Sequence, residues 1–229
     1  MVTRLFWRRS YRIVPSRYPV KGLFDNAAHP ADLEIVLQLE AATNPRALEE
    51  AGELSMVRPA DRISGPNTTP IMAAFTHTQA SRFSDGSFGV YYAADDEATA
   101  IAETAYHRAR FLRDAGFPSE RLDMRVYIAT IKGALDDLRA KSARSRLYNP
   151  SSYAFSSSYA VRLHRQNIVD GIVYRSVRRR EGECVAVFRP ARVSQCRVLH
   201  HLQYRFEDFR LIAVYDLNVR DAQPGDESA

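Results

Sequence analysis

Lysine and cysteine are the scarce residues of this chain. Its 229 residues include three lysines, Lys21, Lys132 and Lys141, and two cysteines, Cys184 and Cys196. Two cysteines with no metal-ligand spacing around them exclude a disulfide framework, and they read as the free thiols of a cytoplasmic protein. No apolar run reaches the length that spans a bilayer. Met1–Arg17 is rich in arginine but lacks the uninterrupted apolar core of a secretory signal. No membrane partner is therefore expected. No Gly-rich fingerprint of the dinucleotide-binding or P-loop kind occurs, so a nucleotide would need a different holding device. No internal repeat is visible. No histidine pairs with another histidine at helical spacing, and His200 and His201 point to opposite sides of a strand, so no metal is expected.

What is present is arginine. All but three of the 32 basic residues are arginines, and the net charge is +5. Arginine suits planar, bidentate contact with phosphate, which fits a phosphate-bearing ligand or nucleic acid; an arginine-rich surface without a ligand explains the same counts. Hydrophobic residues at 45% and charged residues at 26% are ordinary globular values.

The chain centres on Arg82–His107. Ser84-Asp85-Gly86-Ser87 is a dense turn cluster, so Arg82 is placed on a loop. Phe88-Gly89-Val90-Tyr91-Tyr92 has strand composition. Asp95-Asp96-Glu97 then opens an alanine-rich helix, which ends at Gly116-Phe117-Pro118. Glu103 and His107 are one turn apart and share a face close to the apolar side of that helix. A carboxylate there conflicts with the pattern around it, and such conflicts mark functional positions.

The remaining elements follow from pattern. Leu5–Trp7 and Tyr11–Val14 read as strands, ended by Pro15 and Pro19. Helices are expected from Pro30, over Leu33–Leu39, to a stop near Asn44-Pro45, and from Arg46 to Leu54, then a loop over Pro59–Pro70 and an apolar element over Ile71–Phe75. Asp123–Ile131 alternates as a strand, Leu135–Leu138 reads as a helical turn, Tyr148–Ser152 as a turn, and Ser156–Gln166 as a helix. Ile172–Tyr174 and Cys184–Phe188 would pair as a hairpin whose loop carries Arg178, Arg179 and Arg180. Val198–Arg205 and Phe209–Leu217 supply the last strands, and residues 222–229 read as a disordered tail. Strands at both ends with helices between them predict an α+β fold with a bent antiparallel sheet, not a βαβ series.

The most informative constellation is Arg82, Tyr92 and Glu103. Cleavage of NAD⁺ between nicotinamide and ribose releases a neutral amide and builds positive charge on the ribose. A site for it needs a cation for the pyrophosphate, an aromatic wall for nicotinamide and a carboxylate against the ribose hydroxyls. These three residues supply one of each, although the same trio also arises by chance. Arg178–Arg180 with Tyr174 and Phe188 could instead grip a nucleic-acid backbone, or form a solvated hairpin tip. Ser176 follows a strand without a nucleophile elbow, and alone reads as a turn-capping hydroxyl.

The run Arg82-Phe83…Gly…Tyr92-Ala-Ala…Ala98-Thr-Ala-Ile-Ala-Glu103…His107 resembles the first core motif of the RES domain family. Asp170-Gly-Ile-Val-Tyr174-Arg-Ser176 resembles its second. The similarity runs roughly from Phe75 to Phe188, with Tyr11-Arg12-Ile13 similar to the opening strand. The resemblance implies an ADP-ribosyltransferase-like fold with a split antiparallel sheet, in one catalytic domain over residues 1–221. It implies a bacterial toxin that consumes NAD⁺ as substrate, by hydrolysis or phosphorolysis, or that transfers ADP-ribose to a protein. The implied partner is a cognate antitoxin with a helix-turn-helix domain. Arg12 and Arg82 would hold phosphates, Tyr92 would pack on the nicotinamide end, Glu103 would polarise a ribose hydroxyl, Ser176 would position nicotinamide or ribose, and His107 would support Glu103. Arg17 is the rival to Arg12, and Tyr91 to Tyr92, because adjacent strand residues face opposite ways. The chain departs from shorter members by Phe83 in place of a common Trp and by an insertion over about 24–70. Three roles are open for the insertion: gating the cleft, contacting the antitoxin, or forming a homo-oligomer interface.

Overall fold

The structure, a computed structural model, describes residues 1–18, 22–44, 46–142 and 144–217. The expected tail lies outside the described residues.

The arginine-rich start forms one strand, β1 (Val2–Pro15), where two were expected. A register shift between Trp7 and Ser10 carries the chain past Arg8-Arg9 without breaking its pairing. Four helices follow: α1 (Leu23–Asn26), α2 (Leu33–Thr43), α3 (Arg46–Ala51) and α4 (Thr69–Thr76). A tight hairpin of β2 (Ala80–Ser81) and β3 (Ser84–Asp85) puts Arg82 at its tip. Then come β4 (Tyr91–Ala94), α5 (Glu97–Ala115), β5 (Glu120–Asp137), α6 (Ala154–Gln166), the hairpin β6 (Gly171–Arg175) and β7 (Glu183–Val187), and the hairpin β8 (Val193–Glu207) and β9 (Arg210–Asp216).

The seven longer strands form one sheet in the order β1-β4-β7-β6-β5-β8-β9, with β1 also paired to β5. One edge of β5 runs antiparallel to β1. Its other edge is divided between β8 near the start and β6 near the end, which splits the sheet. The β5–β6 pair is parallel, joined through α6, so the wholly antiparallel expectation is corrected to a mixed sheet in an α+β fold.

Alternation assigns each strand residue to a face. Tyr92, Ala94, Ile172, Tyr174, Cys184 and Ala186 pack into one core, with Ala100, Ala105 and Leu112 of α5 and Ala160 and Leu163 of α6. Tyr91, Ala93, Val173, Val185 and Val187 pack into a second core against Phe24, Leu33, Ala51 and Met72 of α1–α4. Both faces are covered, which is why β6 and β7 read as nearly continuous apolar runs. The 24–70 segment is thus the second layer of the fold.

Two local expectations are corrected. Phe88–Val90 is not strand, and β4 begins at Tyr91. At Gly89 the chain presses on α4: a Cβ there would lie 2.2 Å from Phe75 Cα, so the segment follows helix packing instead of a ladder. Leu135–Asp137, expected as a helical turn, continues β5, because β1 and β6 both offer backbone partners there. The α5 boundaries follow their signals: Asp96 accepts from Thr99 N at 2.8 Å, and Gly116 takes φ 76° at the C-terminus.

Candidate active site

Glu103, Tyr106 and His107 lie three and four residues apart along α5, on one face. The hairpin turn that follows β6 crosses that face. Glu103 Oε1 accepts a 2.6 Å hydrogen bond from Ser176 Oγ and a 3.1 Å bond from Val177 N. Ser176 Oγ in turn accepts from Arg178 N at 3.0 Å and Arg179 N at 2.9 Å. All hydrogen-bonding capacity of the hydroxyl is thereby used, and its proton points at the carboxylate. Glu103 Oε2 has no hydrogen-bond partner among the described residues.

Arg82 and Arg178 both bear on His107, one turn from the carboxylate. Arg82 is 8% exposed; its Nη1 donates to the carbonyls of Leu147 and Asn149 at 3.2 and 3.0 Å, and its guanidinium lies over Tyr153. Arg178 stacks on Tyr106 with 3.2 Å from Cζ to the ring centroid, and donates to Pro150 O at 2.7 Å. Neither arginine forms an ion pair among the described residues. Arg179 does, to Asp96 at 2.7 Å, and also donates to Thr99 Oγ1.

The aromatic floor is Tyr92, Tyr174 and Phe83. Tyr92 OH accepts from Phe83 N at 2.9 Å and is 2.8 Å from Ser81 Oγ. The residue is only partly buried, but its hydroxyl is shut in, and desolvation pushes its pKa up to about 12. Tyr174 meets Phe83 edge-on at 4.8 Å. Burial raises the Tyr174 phenol pKa, and the charges of Glu103 and Arg82 both act on it. Cys184, beneath them, is likewise pushed up by burial, so it stays a thiol and is not a nucleophile. His107 lies at the surface, and its pKa is lowered. Desolvation is the main cause; Glu103 opposes it, and Arg178, Arg108 and Arg82 add to it.

The profile of the RES domain matches residues 59–207, well over half of the chain. This chain belongs to the RES domain family. It is also 26% identical over 207 residues to a protein of Sinorhizobium fredii (strain NBRC 101917 / NGR234) named uncharacterized protein y4oC, covering 90% of this chain and 86% of that one. That overlap is longer than the RES match, so the similarity extends beyond the domain span on at least one side.

Within the RES domain the fold joins Glu103 to Ser176, with His107 one turn along the helix and the charge of Arg82 bearing on it, and Tyr92 packs into the core on that sheet face. Tyr91 is fully buried in the second core. Arg12, well before the matched span, faces Tyr91, with 4.8 Å from its Cζ to that ring, while its Nη1 donates to the Tyr92 carbonyl at 3.1 Å. Its guanidinium therefore lies on the opposite sheet face from Glu103. Arg17 is exposed beside Tyr18. Arg178 is half-buried against Tyr106, and the exposed Arg179 pairs with Asp96 at the start of α5, so the turn is tied to α5 instead of standing as a free hairpin tip.

Sequence reasoning missed the parts played by Tyr106, Tyr153, Tyr174 and Arg178. The signal for Tyr174 was its Tyr-x-Ser spacing, which puts it on the face of Ser176. Concavities of about 490 and 380 Å³ lie elsewhere. The first is lined by Glu34, Leu37, Leu54 and Arg62, and the second by Glu120, Arg121 and Phe206.

Proposed function

We propose that this RES domain cleaves NAD⁺ at the nicotinamide–ribose bond, with an ADP-ribosyltransferase-like arrangement of the sheet, and acts as a toxin neutralised by a cognate helix-turn-helix antitoxin. The observation that carries the reading is the carboxylate of Glu103, held on one oxygen by Ser176 and Val177 with the other unpartnered among the described residues, on a helix face where Arg82 and Arg178, neither ion-paired among those residues, also bear on His107. When the C1′–N bond breaks, nicotinamide leaves with the electron pair as a neutral amide and the ribose becomes an oxocarbenium. Glu103 Oε2 is free to accept a ribose hydroxyl and to stabilise that charge. Its fixed orientation means little rearrangement is needed as charge develops. Arg82 is suited to the pyrophosphate, and the Tyr92 and Tyr174 rings to the nicotinamide plane. Ser176, fully engaged in holding Glu103, orients the carboxylate.

The test is to incubate the purified chain with NAD⁺ in water, in phosphate and in cell extract, and to follow released nicotinamide. Release in any of the three supports the reading, and its absence in all three overturns it. Free ADP-ribose identifies water as acceptor, its 1″-phosphate identifies phosphate, and a labelled protein band identifies protein ADP-ribosylation.

A further inference from the structure

We infer that Arg178 is a further substrate-binding residue: its guanidinium takes a pyrophosphate oxygen of the dinucleotide in place of the Pro150 carbonyl. The inference rests on the reading above and adds a second cation opposite Arg82.

Three observations lead there. The fork of Arg178 is underused: Nη2 is bound to Pro150 O, whereas Nε is buried with no hydrogen-bond partner among the described residues. A buried guanidinium N–H without an acceptor is rare, and an incoming phosphate would supply one. Next, the guanidinium is placed by stacking on Tyr106, one turn from Glu103, so its orientation survives loss of the Pro150 contact. Finally, Arg82 and Arg178 grip the same turn, through the carbonyls of Leu147 and Asn149 for one and of Pro150 for the other. Two cations without carboxylate partners among the described residues thus share the 147–150 turn, and neutral carbonyls hold the positions that phosphate oxygens would take with stronger, charge-assisted bonds. The Arg178 N–H to Ser176 Oγ links the phosphate end to the residue that orients the carboxylate.

The test is calorimetric titration of the full chain with ADP-ribose, comparing wild type with Arg178→Gln, Arg178→Lys and Arg180→Gln, alongside NAD⁺ kinetics. Arg178→Gln is expected to weaken ADP-ribose about tenfold or more. Arg178→Lys should weaken it less, and Arg180→Gln, at the exposed end of the run, should leave it unchanged. The KM for NAD⁺ should rise more than kcat falls, a split that a merely structural role would not produce. Wild-type affinity in Arg178→Gln overturns the inference, as do an equal loss in Arg180→Gln and a wild-type chain that does not bind ADP-ribose. If Arg178→Gln fails to fold, Arg178→Lys binding like wild type at raised ionic strength, where charge alone is screened, overturns it as well. ADP-ribose binding that depends on Arg178 without nicotinamide release would sink the cleavage reading alone. Nicotinamide release with an unchanged KM in Arg178→Gln would sink the Arg178 assignment alone.

Discussion

The side-chain oxygens of Glu103 and Ser176 are 2.6 Å apart although the residues are 73 positions apart in the chain. One lies on the second turn of α5 and the other just past β6, so the pair exists only because α5 packs across the sheet face that β6 helps to form.

Replacing Glu103 by Gln keeps the size of the side chain and removes its charge. Nicotinamide release should fall by about 10²–10³-fold, the cost of deleting one electrostatic stabiliser of a transition state. Thermal unfolding should change little, because Val177 N can donate equally to an amide oxygen. A fully active variant would show that another carboxylate does the work.

Ser176→Ala removes the proton donor to Glu103 and the acceptor of two backbone N–H groups. We expect kcat to fall about 10–100-fold, matching a lost hydrogen bond to a charged group, with a stability loss of about 1–3 kcal/mol for the orphaned amides. Unchanged kcat with lowered stability would reduce the serine to a turn cap.

Phe24 is completely buried beneath the second sheet face. Truncation to Ala should cost about 3–5 kcal/mol through lost burial and a cavity, measured by urea denaturation. A shift within about 0.5 kcal/mol, the range of surface substitutions, would show that the α1–α4 layer is dispensable.

Gly89→Ala would put a Cβ 2.2 Å from Phe75 Cα and 2.6 Å from the carbonyls of Ala74 and Phe75. Backbone cannot yield as a side chain can, so a loss of about 3 kcal/mol or more is expected. That corresponds to a fall in Tm of about 6–12 °C. A wild-type Tm would mean the α4–β4 approach is looser than described.

His164 stacks on Phe88 at 4.0 Å, with Phe188 edge-on at 5.8 Å. Desolvation lowers its pKa below the ordinary 6.5; Arg58 and Arg189 act in the same direction, and Asp61 and Asp85 oppose them. Between the folded and unfolded pKa values the unfolded chain binds the extra proton, so stability is complete above about pH 6.5 and falls on acidification through the folded value. His107 contributes in the same sense. The carboxylates with lowered pKa, Asp85, Asp96 and Asp137, begin below 3.8 and act in a more acidic range. Tm should therefore drop between pH 7 and 5, and His164→Phe should flatten part of that slope. An identical slope in His164→Phe would assign the drop to other groups.

Much of this was legible in the chain because it is local. Asp96 and Gly116 bound α5 through capping and left-handed backbone geometry, which belong to the segment itself. The Glu103–His107 face follows from helical spacing, and the two-sided burial of β6 and β7 from unbroken apolar composition. The family motifs supplied Arg82, Tyr92, Glu103 and Ser176 as a set. Less legible were Leu135–Asp137 and Phe88–Val90, whose propensities yielded to neighbours far away in sequence.

The sequence by itself determined most of the helices and strands, apart from Phe88–Val90 and Leu135–Asp137, and which side chains carry charge, since propensity, capping and alternation act over a few residues. Only the tertiary structure decided that Tyr92 faces Glu103 while Arg12 faces Tyr91, that α1–α4 form a second layer, and that Arg178 folds inward onto Tyr106. Those outcomes depend on which strands pair and in what register, and a one-residue slip would move Arg12, Tyr91 and Tyr92 to the other face.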